Sequence, residues 1–281
     1  MTIPVLYEDT DIIVFNKPAG IVVNEAESTP GETMQQMLRT SLDFSSSAES
    51  WFSLVPKRFS LEYGTPEEVF AERAGMVHRL DKDTSGIVLF AKNPGSLVNL
   101  LAQFKSRSVK KEYMALVHGK LHQEVDTIQL PIGRSTQERQ RFQVTVSGRP
   151  AETEIRREKE LYLPEEKVMG LVESHDLRRG RTDAQLKKQY EAYGAFTLVR
   201  CHPKTGRTHQ IRVHCAFLQH PLVSDYMYGG KRVQLDLTWC PRQFLHAASL
   251  EFTHPRTGEQ VTVMAPLPED LHQALDQLIE L

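Results

Sequence analysis

Cysteine is scarce in this chain: Cys201, Cys215 and Cys240 are an odd set with no C-x-x-C pair. That excludes a disulfide framework and a structural zinc site, and fits a reducing compartment. Long apolar runs are also missing. The opening stretch MTIPVLYEDTDIIVFNKPAG reaches an acid at Glu8 and has no extended apolar core, so neither a secretory leader nor a membrane span is expected and the cytoplasm is the expected location. Neither sign of charge is in large excess: Lys and Arg number 34 against 36 Asp and Glu, a formal net charge of -2. Any nucleic-acid role must therefore rest on local patches and not on global attraction. Motifs of several enzyme classes are absent too. There is no H-x-E followed by C-x-x-C for zinc deamination, no glycine pattern for a dinucleotide or a P-loop, and none of the 11 histidines forms H-E-x-x-H. With 281 residues, 40% of them hydrophobic and 25% charged, the chain is an ordinary globular protein with room for one large or two smaller domains.

The most concentrated chemistry lies in His-Arg-Leu-Asp-Lys-Asp-Thr-Ser-Gly, residues 78–86, which runs directly into Ile87-Val88-Leu89-Phe90-Ala91. The apolar run reads as a buried strand, so the polar nonapeptide reads as a loop held by the core. A charged surface turn before a strand is the plainer reading of the same residues.

Along the chain, Ile12–Phe15 and Ile21–Val23 flank Asn16-Lys17-Pro18-Ala19-Gly20 and predict a hairpin or strand pair with Lys17 at its tip. Residues 32–42 carry Met34, Met37 and Leu38 at helical spacing, 43–50 form a serine-rich loop, and the stretch to Ala74 shows no clear period beyond some helix. Asn93-Pro94 opens a helix through about Phe104 with Leu97, Leu100, Leu101 and Phe104 inward, and Lys110-Lys111 precede a strand through Tyr113, Ala115 and Val117. Residues 126–157 predict two further strands and are locally basic through Arg134, Arg139, Arg141 and Arg149. Between Glu152 and Glu191 lie ten acidic and nine basic residues, so 161–194 reads as a charged insertion, partly helical and mostly solvated. Strand pattern returns at Phe196–Cys201; a loop with Pro203 and Gly206 follows, and Thr208 is a suitable N-cap for a helix carrying Ile211, Cys215 and Leu218 inward. The turn-rich Asp225–Gly230, a strand pair about His254-Pro255-Arg256-Thr257-Gly258, and a closing helix from Pro268 with Leu271, Leu275, Leu278 and Ile279 complete the chain. Strands with irregularly placed helices predict an α+β fold, a mixed and largely antiparallel sheet flanked by helices, in place of a doubly wound one. What remains chemically is an acid in a polar loop with arginines and a tyrosine elsewhere, a set suited to carboxylate chemistry without a metal.

Four blocks in order, NKPAG at 16–20, HRLDKDTSG at 78–86, KKEYMALVHG at 110–119 and KTGRTHQIRVH at 204–214, together with LHAASLEFTHPRTGE from Leu245, resemble the RluA-type pseudouridine synthase family. The resemblance runs from about residue 5 to the end, apart from 43–74 and 161–194. It implies isomerisation of uridine to pseudouridine in structured RNA, tRNA or rRNA, the base being detached, turned and rejoined through carbon. By that resemblance Asp81 is the catalytic carboxylate and Asp83 is structural or solvated. Tyr113 stacks on the target base and assists its final deprotonation, Arg212 pairs with Asp81, and Arg79 helps extrude the nucleotide. His78, Lys17, Thr84, Ser85, Arg207, His209 and Ile211 are the remaining expected substrate-binding positions. Flipping the base costs a few kcal/mol, and stacking on an aromatic face returns about 1 to 3 kcal/mol. An adjacent cation lowers a carboxyl pKa by about 1 to 3 units, which would keep Asp81 ionised. No cofactor and no metal are expected, since nothing is oxidised, reduced or transferred. Residues 1–281 are expected to form one catalytic domain without a separate N-terminal RNA-binding domain, acting as a monomer. Two rivals stand beside this reading: a non-catalytic RNA-binding module, and a glycosidase using paired carboxylates.

Overall fold

The computed structural model describes residues 3–25, 31–41, 50–57, 59, 64–174 and 193–280. Its elements in chain order are β1 (Val5–Glu8), β2 (Ile12–Lys17), α1 (Met34–Ser41), α2 (Pro66–Arg73), β3 (Ser85–Ala91), α3 (Pro94–Ser106), β4 (Lys110–His118), β5 (Val125–Gln129), β6 (Ile132–Arg134), β7 (Phe142–Val144), β8 (Glu152–Tyr162), α4 (Glu165–Ser174), β9 (Ala195–Pro203), α5 (Gln210–Phe217), α6 (Val233–Asp236), β10 (Leu245–Thr253), β11 (Gln260–Met264), α7 (Glu269–Leu275) and β12 (Ile279–Glu280). The chain divides into two compact units, Met1–Lys111 with Ala247–Pro266, and Glu112–His246 with Leu267–Leu281. The pairs β1–β2, β2–β3, β10–β11, β4–β9, β8–β9, β5–β8, β8–β12 and β6–β7 are all antiparallel, in line with the expected largely antiparallel sheet.

In the first unit the strands run in the order β1-β2-β3-β10, with β11 on β10. β3 is buried along its whole length, because Ile87 to Ala91 offer an apolar side chain to both faces of the sheet. Its core joins Ile12 and Val14 of β2, Ile87 and Leu89 of β3, and Leu97 and Leu100 of α3. α3 starts where expected: the Asn93 side chain accepts from Ser96 N at 2.8 Å, with Pro94 in the first turn. α2 is opened by a capping box between Thr65 and Glu68.

Residues 21–23 form no strand. The carbonyls of Val22 and Val23 accept from Met34 N and Gln35 N at 3.0 and 2.9 Å, so they serve the start of α1 and not a ladder. β2 instead pairs β1 on one side and β3 on the other. The expected hairpin about Lys17 is thus replaced by the β1–β2 pair. The serine-rich loop at 43–50 falls almost wholly outside the described residues.

In the second unit the order is β4-β9-β8-β12, with β5 also on β8 and a separate β6–β7 ladder. Four strands occupy the region expected to hold two. β8 outruns the expectation because a bulge between Arg157 and Lys159 breaks its alternation. Its inward residues, Thr153, Ile155 and Leu161, stand among outward charges. The core gathers Leu116, Phe196, Trp239, Phe244 and Leu271, Phe196 meeting Trp239 edge-to-face at 5.3 Å. The ends of the charged stretch are not solvated: Leu161, Leu163, Val168 and Tyr193 are buried in that core. Arg178, Arg179 and Arg181 lie outside the described residues. α7 is shorter than expected, and Ile279 leaves it to pair with Tyr162 through β12. No helix among the described residues is long and apolar enough to cross a membrane.

Candidate active site

The loop before β3 is fixed from beneath by buried polar groups. Lys17, fully buried, donates from Nζ to the carbonyls of Pro18, Ile21 and Lys82, each at 2.9 Å. Gly20 N donates to the same Lys82 carbonyl at 2.9 Å. The N-K-P-A-G block thus clamps the backbone one residue beyond Asp81, and its lysine is an internal staple and not a solvated tip. An ammonium with three carbonyl acceptors meets the condition for burying such a charge. Within the loop Thr84 N donates to Asp81 O at 3.1 Å, closing a turn. Thr84 and Ser85 are buried, whereas Asp81 and Asp83 stay partly exposed and Arg79 is exposed. Arg79 donates to the Asn24 side chain at 3.1 Å.

His78 accepts from Leu89 N at 3.0 Å through Nε2 and stacks on Phe104 with ring centres 5.0 Å apart. An acceptor nitrogen carries no proton, and burial with the nearby Lys111 charge pushes this imidazole down to about 3. His78 therefore joins the loop to the middle of β3 as a neutral group. Burial, then repulsion from Arg107, also lowers the Lys111 ammonium to about 8. Gly86 closes the nonapeptide at φ 111°, and a Cβ there would stand 2.2 Å from Ala247 O. Only glycine allows this approach between neighbouring strands.

In the second unit Tyr113 sits on β4 opposite Cys201 and packs against the cluster of Ala115, Val117, Val199 and Ile211. Ile211 is 5% exposed, a core residue of α5. Arg212, one position on, is 2% exposed and its guanidinium meets Asp225 side-on: Nε to Oδ2 at 2.7 Å and an Nη to Oδ1 at 2.8 Å. Asp225 is fully buried and also accepts from Met227 N and Tyr228 N at 3.1 and 3.2 Å. The fork of Arg212 is thereby fixed in a water-poor setting.

The expected N-cap Thr208 is displaced by His209, which takes the left-handed conformation at φ 54° and makes no side-chain cap. Gln210 does the organising. Its Oε1 accepts from Thr205 Oγ1 at 2.6 Å and Arg207 N at 3.0 Å, and its amide donates to Glu152 O and Thr153 Oγ1, both at 2.9 Å. Arg207 donates to Pro150 O at 3.1 Å, and His209 Nδ1 lies 2.9 Å from the Tyr228 hydroxyl. Sequence reading passed over Asp225, Tyr228 and Gln210. The usable signal was that an arginine on a helix flanked by Ile211 and Val213 needs a buried acid, and the turn Asp225–Gly230 offers one.

Among the described residues, ligand atoms of Asp9, Asp11 and His254 lie within 4.8 Å of one another. They are committed to protein partners: His254 Nε2 stands 2.8 Å from Asp9, and Arg256 binds Asp11 at 2.5 and 2.7 Å. That guanidinium supplies the positive charge which a cation would otherwise bring.

Three comparisons bear on what these parts do. A family model described as RNA pseudouridylate synthase matches residues 11–217. The chain is 34% identical over 278 residues to an uncharacterized RNA pseudouridine synthase, YlyB, of Bacillus subtilis, covering 99% of this chain and 73% of that one. It is 34% identical over 280 residues to ribosomal large subunit pseudouridine synthase C of Escherichia coli K12, covering 98% and 69%. Ribosomal large subunit pseudouridine synthase D of Xanthomonas campestris is 33% identical over 285 residues, covering 98% and 69%. Two human structures, RNA pseudouridylate synthase domain containing 1 and 4, share the fold at TM-score 0.60 each, with 23% and 18% identity, 95% and 98% of this chain, and 84% and 94% of theirs. A carboxylate loop stapled by N-K-P-A-G, an arginine helix opened by T-H-Q, and a family match running through both lead to one conclusion: the chain belongs to the RNA pseudouridylate synthase family and isomerises uridine in RNA to pseudouridine.

Proposed function

We propose that the protein modifies uridine in structured ribosomal large-subunit RNA, with tRNA as the second candidate substrate, and that Asp81 is the catalytic carboxylate. The observation that carries the assignment of Asp81 is the construction of its loop: Lys17 and His78 hold the backbone and the Thr84 amide closes a turn on the Asp81 carbonyl, while the Asp81 residue itself stays partly exposed. A reacting group needs this combination of fixed geometry and access. The ribosomal reading rests on the names of the synthase C and D relatives.

The remaining roles rest on the motif blocks. Tyr113 stacks on the flipped base and assists its deprotonation, Arg212 is the catalytic arginine, and Arg79 enters the stack from which the uridine leaves. Arg207 and His209 contact the RNA. Lys17 and His78 act on substrate through the loop backbone that they hold by hydrogen bonds, and the buried Thr84, Ser85 and Ile211 complete the substrate-site positions of the same motif blocks. Both units serve one catalytic domain, working as a cytoplasmic monomer without metal or cofactor; the family match extends over residues of both. An isomerisation has no net redox or group transfer to assign to a cofactor.

The test is a transcriptome-wide map of pseudouridine in cells with and without the protein. Loss of one or a few positions in large-subunit ribosomal RNA is expected. Loss confined to tRNA would overturn the ribosomal assignment, and an unchanged map would overturn the functional reading altogether.

A further inference from the structure

Residues 132–149 hold four arginines, Arg134, Arg139, Arg141 and Arg149, against the single acid Glu138, in a chain whose net charge is -2. The β6–β7 ladder that presents them has only three residue pairs. A two-stranded ribbon of that size is marginal alone, so its position depends on what it is attached to. The apolar part of the attachment is a small cluster, Ile132 with Ala151 and Val213, flanked by Phe142, Val144 and Tyr228.

The polar part converges on one hydroxyl. Phe142 N, on β7, donates to Tyr228 Oη at 3.0 Å, and His209 Nδ1 lies 2.9 Å from the same oxygen. The amide can only donate, so the hydroxyl accepts from it. Burial raises the tyrosine above its ordinary range and keeps the hydroxyl protonated. Ring packing follows the same lines: His209 meets Phe142 and Tyr228 edge-on at 5.7 and 5.8 Å. The Tyr228 ring also faces the Arg212 guanidinium at 5.2 Å, and Tyr228 N donates to Asp225, the carboxylate that holds Arg212. One side chain thus touches the arginine-rich hairpin, the left-handed residue that opens α5, and the buried arginine of that helix.

We propose that Tyr228 is a positioning residue whose hydroxyl fixes the arginine-rich hairpin to the Arg212 helix, so that RNA gripped by the hairpin is held in register with Arg212. This rests on the reading of RNA as the substrate. The hairpin arginines bind phosphates, and the hydroxyl determines how many of them bind at once.

Tyr228→Phe keeps the ring and its packing and removes only the link. The readouts are RNA affinity as a function of salt, and KM against kcat, on an RNA that the native protein converts, with the thermal midpoint as a check on folding. Losing the hydrogen bond that links the hydroxyl to Phe142 of the hairpin corresponds to about a 3- to 10-fold rise in Kd and KM, with kcat changing less than about twofold and a salt slope shallower by roughly one phosphate contact. Arg134→Gln with Arg139→Gln, both on exposed sites, provides the same salt readout without disturbing the core. Added to Tyr228→Phe, this arginine pair should cost less than about twofold more, because coupled groups are not additive. An unchanged KM and slope, or fully multiplicative losses, would overturn the proposal. A native protein that binds RNA and forms no pseudouridine would instead overturn the functional reading, and the binding data would still decide the role of Tyr228.

Discussion

Asp81 stands in a loop whose supports are spent on backbone: the Lys17 ammonium on three carbonyls, His78 Nε2 on the Leu89 amide, Gly86 on close approach to Ala247. Arg212 is supported by a carboxylate instead, side-on and at 2% exposure, with the carboxylate itself held by two amides. The acid keeps access to solvent and its supports are buried. The base is buried together with its support. A group that must meet substrate can be held through its main chain, whereas a charge that must point in one direction can be held by an opposite charge, at a desolvation cost that makes the pair fragile to single changes.

That contrast fixes the order of expected losses in stability. Asp225→Asn leaves the volume and removes the charge that balances Arg212, so we expect a loss of about 3 to 5 kcal/mol in denaturant unfolding. A loss under about 1 kcal/mol would show that the arginine does not depend on this acid. Gly86→Ala forces a Cβ to 2.2 Å from a backbone oxygen at φ 111°, for which overpacking and strain predict about 1 to 3 kcal/mol. An unaffected midpoint would mean that the loop is not pinned at its end.

The third expectation is a change of slope. The His78 pKa is near 3 in the folded protein and about 6.5 unfolded, so between those values the unfolded chain binds a proton that the folded chain refuses. Stability from neutral His78 is complete above about pH 6.5 and is lost as pH falls toward 3. Asp9 and Asp11, whose burial raises them less than their hydrogen bonds lower them, sit below the usual carboxylate range and add a separate loss at lower pH. His78→Gln should therefore flatten the stability profile between about pH 6.5 and 4 and leave the more acidic limb in place. Parallel profiles would remove His78 as a neutral anchor.

Much of this was legible in sequence because the signals were local. Ile87–Ala91, Asn93-Pro94 and the Tyr113-Ala115-Val117 alternation each sit where patterning puts them. What was not legible came from distant partners. Val22 and Val23 have strand composition, yet their carbonyls face the start of α1. Thr208 is a good cap by type, but Gln210 reaches both sides of the loop and moves the helix start to His209. Lys17 read as the tip of a hairpin because its three acceptors are main-chain carbonyls, which carry no sequence signature. Asp225 and Tyr228 looked like turn residues because their partners, Arg212 and Phe142, are 13 and 86 positions away.

The most direct test of the central claim uses unmodified large-subunit ribosomal RNA transcript with purified native protein and with Asp81→Asn, counting pseudouridine and free uracil in each. The account predicts pseudouridine without released uracil from the native protein, and a rate lower by about a thousandfold or more from Asp81→Asn at an unchanged thermal midpoint. Equal pseudouridine from both proteins would contradict the role of Asp81, and free uracil in place of pseudouridine would make the reaction a hydrolysis.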